Sequence, residues 1–132
     1  MYTMMQVCRE TSMSYQALKF YCNEGLVPNV KRDKNNRRIF DERDVKWIKD
    51  LVCLKKCGMS IQEMKVYLDL CLEGESTIPQ RKEMLDQKQK ELNQQIAELK
   101  DCVAYIDWKQ GFYDEVLSGK RPYVSNLIRV EE

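Results

Sequence analysis

At 132 residues, with 43% apolar and 33% charged side chains, the chain fits one compact helical domain, or a small domain plus an extended element, and is too apolar to be disordered. Its net charge of +1 conceals a split: residues 1–57 hold twelve Lys and Arg against seven Asp and Glu, and residues 58–132 hold ten against fourteen. The front half suits an anionic partner, while the lack of any histidine and of a glycine-rich phosphate loop argues against an enzyme, a cofactor or a metal centre.

No apolar run approaches the roughly 20 residues a membrane span needs, and the N-terminus has no secretory pattern. The expectation is a cytoplasmic protein, with no membrane partner, whose six cysteines are reduced thiols.

In chain order, the signals predict helices at 4–11 and 15–23, split by "TSM". Thr3 with Gln6 has capping-box spacing and Ser14 is a good N-cap. Val7, Leu18 and either Phe20 or Tyr21 can share a small core, which is helix-turn-helix spacing. Gly25 stops the second helix and Pro28 follows. "NVKR" and "RRIF" then flank the polar turn "DKNN", which reads as a short β-hairpin, since Asn tolerates positive φ. A helix at 42–57 is capped by Asp41 and stopped by Gly58; another at 61–72 runs from the Ser60–Glu63 capping box to Gly74. Thr77 with Gln80 has capping-box spacing for a long helix at 78–117, which Gly111 and Gly119 are expected to loosen at its end. The tail carries Val124, Leu127, Ile128 and Val130 without a clear assignment. The expected division is 1–75, 76–118 and 119–132.

The hairpin gathers Lys31, Arg32, Lys34, Arg37 and Arg38 within eleven residues. Most charge runs are only solvated loops. This one neighbours Arg9, Tyr15, Gln16 and Lys19 on the helix pair, and basic groups interleaved with hydrogen-bonding side chains on a helix pair with a wing are what a duplex binder needs. The long helix has a second message. Ile78, Leu85, Leu92, Leu99, Ile106 and Tyr113 recur every seven residues, and Ile96, Val103 and Leu117 form an offset seam interrupted by Gln89 and Gln110. A helix of this length reaches roughly 60 Å, too far to bury its stripe on so small a domain. It calls for a partner, most simply the same helix of a second copy.

These segments resemble the MerR family of bacterial transcription regulators over nearly the whole chain. "YTMMQVCRETSMSYQALKFYCNEGLVP" is similar to the family's opening strand and helix-turn-helix, and "CLKKCGMSIQEMKVYLDLCLEGESTIPQRKEML" to its third and fourth helices and the start of its dimerisation helix. The wing pattern is carried by Arg32, Asn35, Asn36, Arg37, Arg38 and Phe40, with Asn36 where the family has Gly and Arg37 where it has Tyr. The added charge is expected to strengthen phosphate binding.

The resemblance implies a mainly α fold: a winged helix-turn-helix DNA-binding domain with a small β-hairpin wing, then a long antiparallel coiled-coil dimerisation helix. It implies a homodimer on double-stranded promoter DNA, reading half-sites about 34–36 Å apart, untwisting an overlong promoter spacer and reaching RNA polymerase indirectly. Lys19, Arg32, Arg37 and Arg38 would neutralise phosphates and Tyr21 would donate to one. Gln16 and Tyr15 are the candidates for base edges, with a packing role as the alternative for Tyr15. Leu85, Leu92, Ile96, Leu99, Val103 and Ile106 would form the dimer interface.

Among family branches, "CLKKCGMSI" and "LDLCLEGESTIPQR" are most similar to the regulators responsive to aldehyde and nitrosative stress. That likeness singles out Cys53 as a sensor thiol, with a small apolar core residue as the plain alternative. A thiol-based metal-responsive regulator, or a repressor with no effector, is the other reading. Against metal sensing, Cys71 precedes the long helix, Cys102 lies inside it and the tail has no cysteine.

Overall fold

The computed structural model describes residues 1–129; Val130 of the tail lies outside them. The chain divides into two compact units, Met1–Lys90 and a second beginning at Glu91.

The first unit opens with a two-residue strand β1 (Tyr2–Thr3), followed by α1 (Met4–Thr11) and α2 (Tyr15–Asn23). Thr3 caps α1 in the expected reciprocal box with Gln6, and the Ser14 hydroxyl accepts from the Ala17 amide to start α2. The turn between them needs a left-handed residue, and Ser12 supplies it at φ 58°. Strands β2 (Lys31–Arg32) and β3 (Arg38–Phe40) form the wing, and β1 adds to the far side of β3 to give the order β1-β3-β2. All pairings are antiparallel, with Tyr2 opposite Phe40 and Arg32 opposite Arg38. The strand leading into α1 is thereby tied to the wing.

Helix α3 (Glu42–Lys56) begins at Asp41, whose carboxylate accepts from the Asp44 amide at 2.9 Å while Asp44 reaches back to the Asp41 amide at 2.9 Å. Helix α4 (Ile61–Glu73) starts in the Ser60–Glu63 box. Gly25 and Gly58 end α2 and α3 in one way. The residue after each glycine donates to a carbonyl five residues back, and each glycine, at φ 77° and 91°, donates three residues back.

The core lies among these elements. Val7, Leu18, Leu26, Phe40, Ile48, Leu51, Met59 and Met64 are fully enclosed. The choice between Phe20 and Tyr21 resolves towards Tyr21, which is 6% exposed; Phe20 is 45% exposed. Trp47 donates its indole N–H to the Leu26 carbonyl at 2.7 Å and stacks on Tyr67 with ring centroids 6.4 Å apart.

A short 3-10 turn (Glu75–Thr77) leads into α5 (Ile78–Leu117). Thr77 takes a different part from the capping box its spacing to Gln80 suggests. It is 2% exposed, its hydroxyl lies 2.8 Å from the Gly74 carbonyl, and it accepts from Arg81 Nε at 3.0 Å. Arg81 also donates to the Gly74 carbonyl at 2.6 Å, so the junction is tied by side chains from both of its ends. Lys88 pairs with Glu63 at 3.1 Å, joining α5 to the first turn of α4.

Helix α5 runs without a break for 40 residues. The expected loosening does not occur: Gly111 stays helical, and Gly119, at φ 81°, closes the helix with the same pair of backbone bonds as Gly25 and Gly58. No side chain of α5 is buried. In the second unit Tyr105, Trp108, Phe112 and Tyr113 neighbour one another, with successive ring centroids 5.8–6.3 Å apart. Arg121 lies 5.3 Å from the Phe112 centroid and pairs with Glu115 at 2.8 Å.

Candidate nucleic-acid interface

Helix α2 turns Leu18 and Tyr21 into the core, which leaves Tyr15, Gln16, Lys19, Phe20 and Asn23 on its outer face. Tyr15 is 46% exposed, so its ring is not a core element. The wing folds beside this face. Between them lies a cleft of about 470 Å³ lined by Met5, Tyr15, Arg32, Arg37 and Arg38, among others. Four of the residues expected to touch DNA thus line one cleft, Tyr15, Arg32, Arg37 and Arg38, and Gln16 is exposed next to Tyr15 on α2. Lys19 is exposed one turn further along. Tyr21 is the exception, since its ring is in the core and burial pushes its hydroxyl pKa up.

The wing's charges are not equivalent. Lys31 pairs with Asp41 at 3.0 Å and with the buried Asp44 at 3.5 Å, contacts that raise its pKa. Arg38 donates to Asn23 Oδ1 at 2.6 Å, which pins β3 to the end of α2. Arg32 donates to the Asn36 carbonyl at 2.9 Å. Among the described residues, the side chains of Lys34 and Arg37 form no ion pair or hydrogen bond, so theirs are the uncommitted charges of the wing. The loop does need positive φ, and Asn36 provides it at 59°. The substitution of Asn for the resembled family's Gly is therefore accommodated.

Sequence reasoning placed Lys34 in the basic wing without counting it among the DNA contacts, and missed Asn23 and Phe20. Asn23 gave no signal, because its role depends on where β3 returns.

The cysteines fall into separate environments. Cys8 is buried and Cys22 half-buried, and burial pushes both thiols up; at Cys22, Arg38 and Arg32 pull in the opposite direction. Cys53 is exposed on α3, so the core alternative for it is withdrawn. Among the described residues, no three His, Cys, Asp or Glu side chains converge on one point, and no helix is long and apolar enough to cross a membrane.

Two helices packed at a tight turn, with an adjoining basic wing, define a winged helix-turn-helix DNA-binding protein. Residues 2–71 match the MerR HTH family regulatory protein family, and residues 45–108 match the MerR, DNA binding family. The chain is 33% identical over 131 residues to an uncharacterized HTH-type transcriptional regulator of Haemophilus influenzae, covering 99% of this chain and 97% of that one. It is 36% identical over 86 residues to the HTH-type transcriptional regulator AdhR of Bacillus subtilis, covering 64% and 61% respectively. Among solved structures, HiNmlR, a MerR family regulator lacking the sensor domain and bound to promoter DNA, superposes with a TM-score of 0.74 at 34% identity over 89% of this chain and 93% of that one. This chain belongs to the MerR family: it is a DNA-binding transcriptional regulator and not an enzyme.

Proposed function

We propose that the chain works as a homodimer on double-stranded promoter DNA, distorting the spacer between the elements that RNA polymerase reads. The observation that carries this reading is the shared face of α2 and the wing, where Tyr15, Arg32, Arg37 and Arg38 line one cleft. The likeness to HiNmlR, which is bound to promoter DNA, supports it. Each subunit places α2 in the major groove, with Gln16 and Tyr15 at base edges. Lys19 and the wing arginines position the dimer on phosphates. The second copy covers Leu85, Leu92, Ile96, Leu99, Val103 and Ile106; in the single chain Leu92 is half-buried and the other five are at least 40% exposed.

The test is selection of duplexes from a randomised pool, followed by titration across salt. A dyad-symmetric duplex is expected to emerge, and its affinity falls with salt at a log–log slope of about −0.9 per phosphate neutralised. Gln16→Ala relaxes the sequence preference at about 1–3 kcal/mol. Binding that ignores salt, or selection of no dyad, would overturn the reading.

The signal is proposed to be an electrophile attacking Cys53. Its exposure and the exposed Lys55 and Lys56 that follow it support this. Cys53→Ala is then expected to abolish the promoter response to a small aldehyde while leaving DNA affinity unchanged. If Cys53 labels no faster than the other five thiols, the sensing role is lost.

A further inference from the structure

Asp33 is the only acidic residue between Asn29 and Phe40. A negative charge at the centre of a basic wing repels the phosphates that the wing is there to meet, so electrostatics alone would have it replaced. The structure gives it another task. One carboxylate oxygen, Oδ1, accepts from the backbone amides of both Asn35 and Arg37, each at 2.9 Å. The backbone of the same residue closes the loop, accepting from the Asn36 amide and donating to the Arg37 carbonyl, again at 2.9 Å each. The loop Lys34–Asn35–Asn36, with its last residue left-handed, is a three-residue hairpin turn built around Asp33. The position left-handed in this loop is Asn rather than the residue that enters that region without cost, so the loop relies more on its acceptor.

We propose that Asp33 is a positioning residue of the DNA interface: its carboxylate fixes the wing-tip backbone so that the two uncommitted charges, Lys34 and Arg37, are held at one spacing before DNA arrives. This rests on the promoter-binding reading above. Ordering the loop in advance removes an entropy loss that binding would otherwise bear. That gain outweighs the repulsion because the carboxylate's field is spent on two amides directly beneath it, while the phosphate is screened by solvent and salt.

Charge and acceptor can be separated with two substitutions. Asp33→Asn keeps an oxygen able to accept from both amides and removes the charge; Asp33→Ala removes both. The probes are the duplex that the wild-type protein enriches from a randomised pool and a random duplex of equal length. Asp33→Ala is expected to lose about tenfold on the enriched duplex, from the returned loop entropy. Asp33→Asn is expected to stay within about threefold of wild type there and to bind the random duplex more tightly, since one repulsive charge is gone. Amide hydrogen exchange gives a readout independent of DNA: the Asn35 and Arg37 amides exchange slowly in wild type and Asp33→Asn, and fast in Asp33→Ala.

If Asp33→Ala binds as wild type does, or if Asp33→Asn falls as far as Asp33→Ala, the proposal is overturned. Should Asp33→Ala not fold, fast exchange at both amides in Asp33→Asn overturns it equally. A wild-type protein that enriches no duplex defeats the promoter-binding reading itself, and the exchange pattern then still reports whether Asp33 builds the turn.

Discussion

The two units solve the problem of apolar side chains in opposite ways. Residues 1–90 enclose eight large side chains completely and satisfy the starts of α1 to α4 with side chains of their own. The second unit has an uninterrupted helix, yet Leu99, Val103 and Ile106 are 64%, 67% and 56% exposed. Both regions contain well-formed helices, so helix formation is not what separates them. The difference is that a helix of this length takes its stability from an amphipathic face meeting a second surface, and the single chain does not supply that surface. The first region is specified by its own residues; the second is specified only together with what covers it.

The sharpest way to break this comparison is to charge the uncovered stripe. Leu99→Asp puts an unpaired carboxylate where a second copy is proposed to pack, and an isolated buried charge is far costlier than the contact it replaces. Sedimentation is expected to show conversion from dimer to monomer. The thermal transition of the first unit should persist, because Leu99 is outside it. A dimer that survives would place the interface elsewhere.

The reverse experiment attacks the enclosed region. Ile48 is fully buried on α3, and Ile48→Ala leaves a cavity among neighbours that cannot wholly collapse. The expected loss is about 2–5 kcal/mol, read from urea unfolding. The same truncation at Val103, an exposed position, should cost the isolated chain far less and show mainly in the dimer dissociation constant.

A third prediction separates charges within the first unit. Arg37→Gln should reduce the magnitude of the salt slope by about 0.9 for the phosphate it releases, whereas Lys31→Gln leaves the slope as it was. Lys31 is already paired with Asp41 and Asp44. Equal slopes for the two variants would mean that the ion pairs seen in the free chain do not decide which charges meet DNA.

Much of this was legible in the sequence, for reasons that differ by element. The helices of the first unit were marked by local signals, such as Thr3 with Gln6, Ser60 with Glu63, and the glycines at 25 and 58, and these signals act within one turn. The wing was legible because polar turn residues separate two short basic strands. What could not be read depends on residues distant in the chain. Tyr21 rather than Phe20 enters the core because of how α2 rolls against its neighbours. Thr77 is drawn inward by Arg81 and the Gly74 carbonyl, although its spacing to Gln80 is that of an ordinary cap. The division of the basic residues into committed and uncommitted ones required the positions of Asn23, Asp41 and Asp44, two of which lie beyond the hairpin and one before it.

The smallest expected effect is in the pH dependence of the junction between wing and α3. Asp41 has a pKa below the ordinary carboxylate value, first because it accepts from the Asp44 amide and second because it pairs with Lys31. A carboxylate depressed in the folded state contributes stability above its unfolded pKa of about 3.9, and that contribution is lost as pH falls through the lower folded value. The Lys31 partner runs the other way. Its pKa is raised, so its contribution is present below about pH 10 and fades as pH climbs through the folded value. Neutral pH therefore lies on the plateau of both. Unfolding midpoints measured in urea should be flat from pH 6 to pH 8 as far as this pair is concerned and should decline below about pH 4. Glu63, held low by the Ser60 amide and then by Lys88, adds to the same acid limb. Asp41→Asn keeps an acceptor for the cap but has no charge to lose, so it should flatten part of that decline while Glu63 retains the rest. Both groups are solvent-facing, which makes the change a modest one. An acid limb in Asp41→Asn as steep as that of the wild type would mean that the junction contributes nothing to it, and that Glu63 and the other carboxylates account for all of the acid sensitivity.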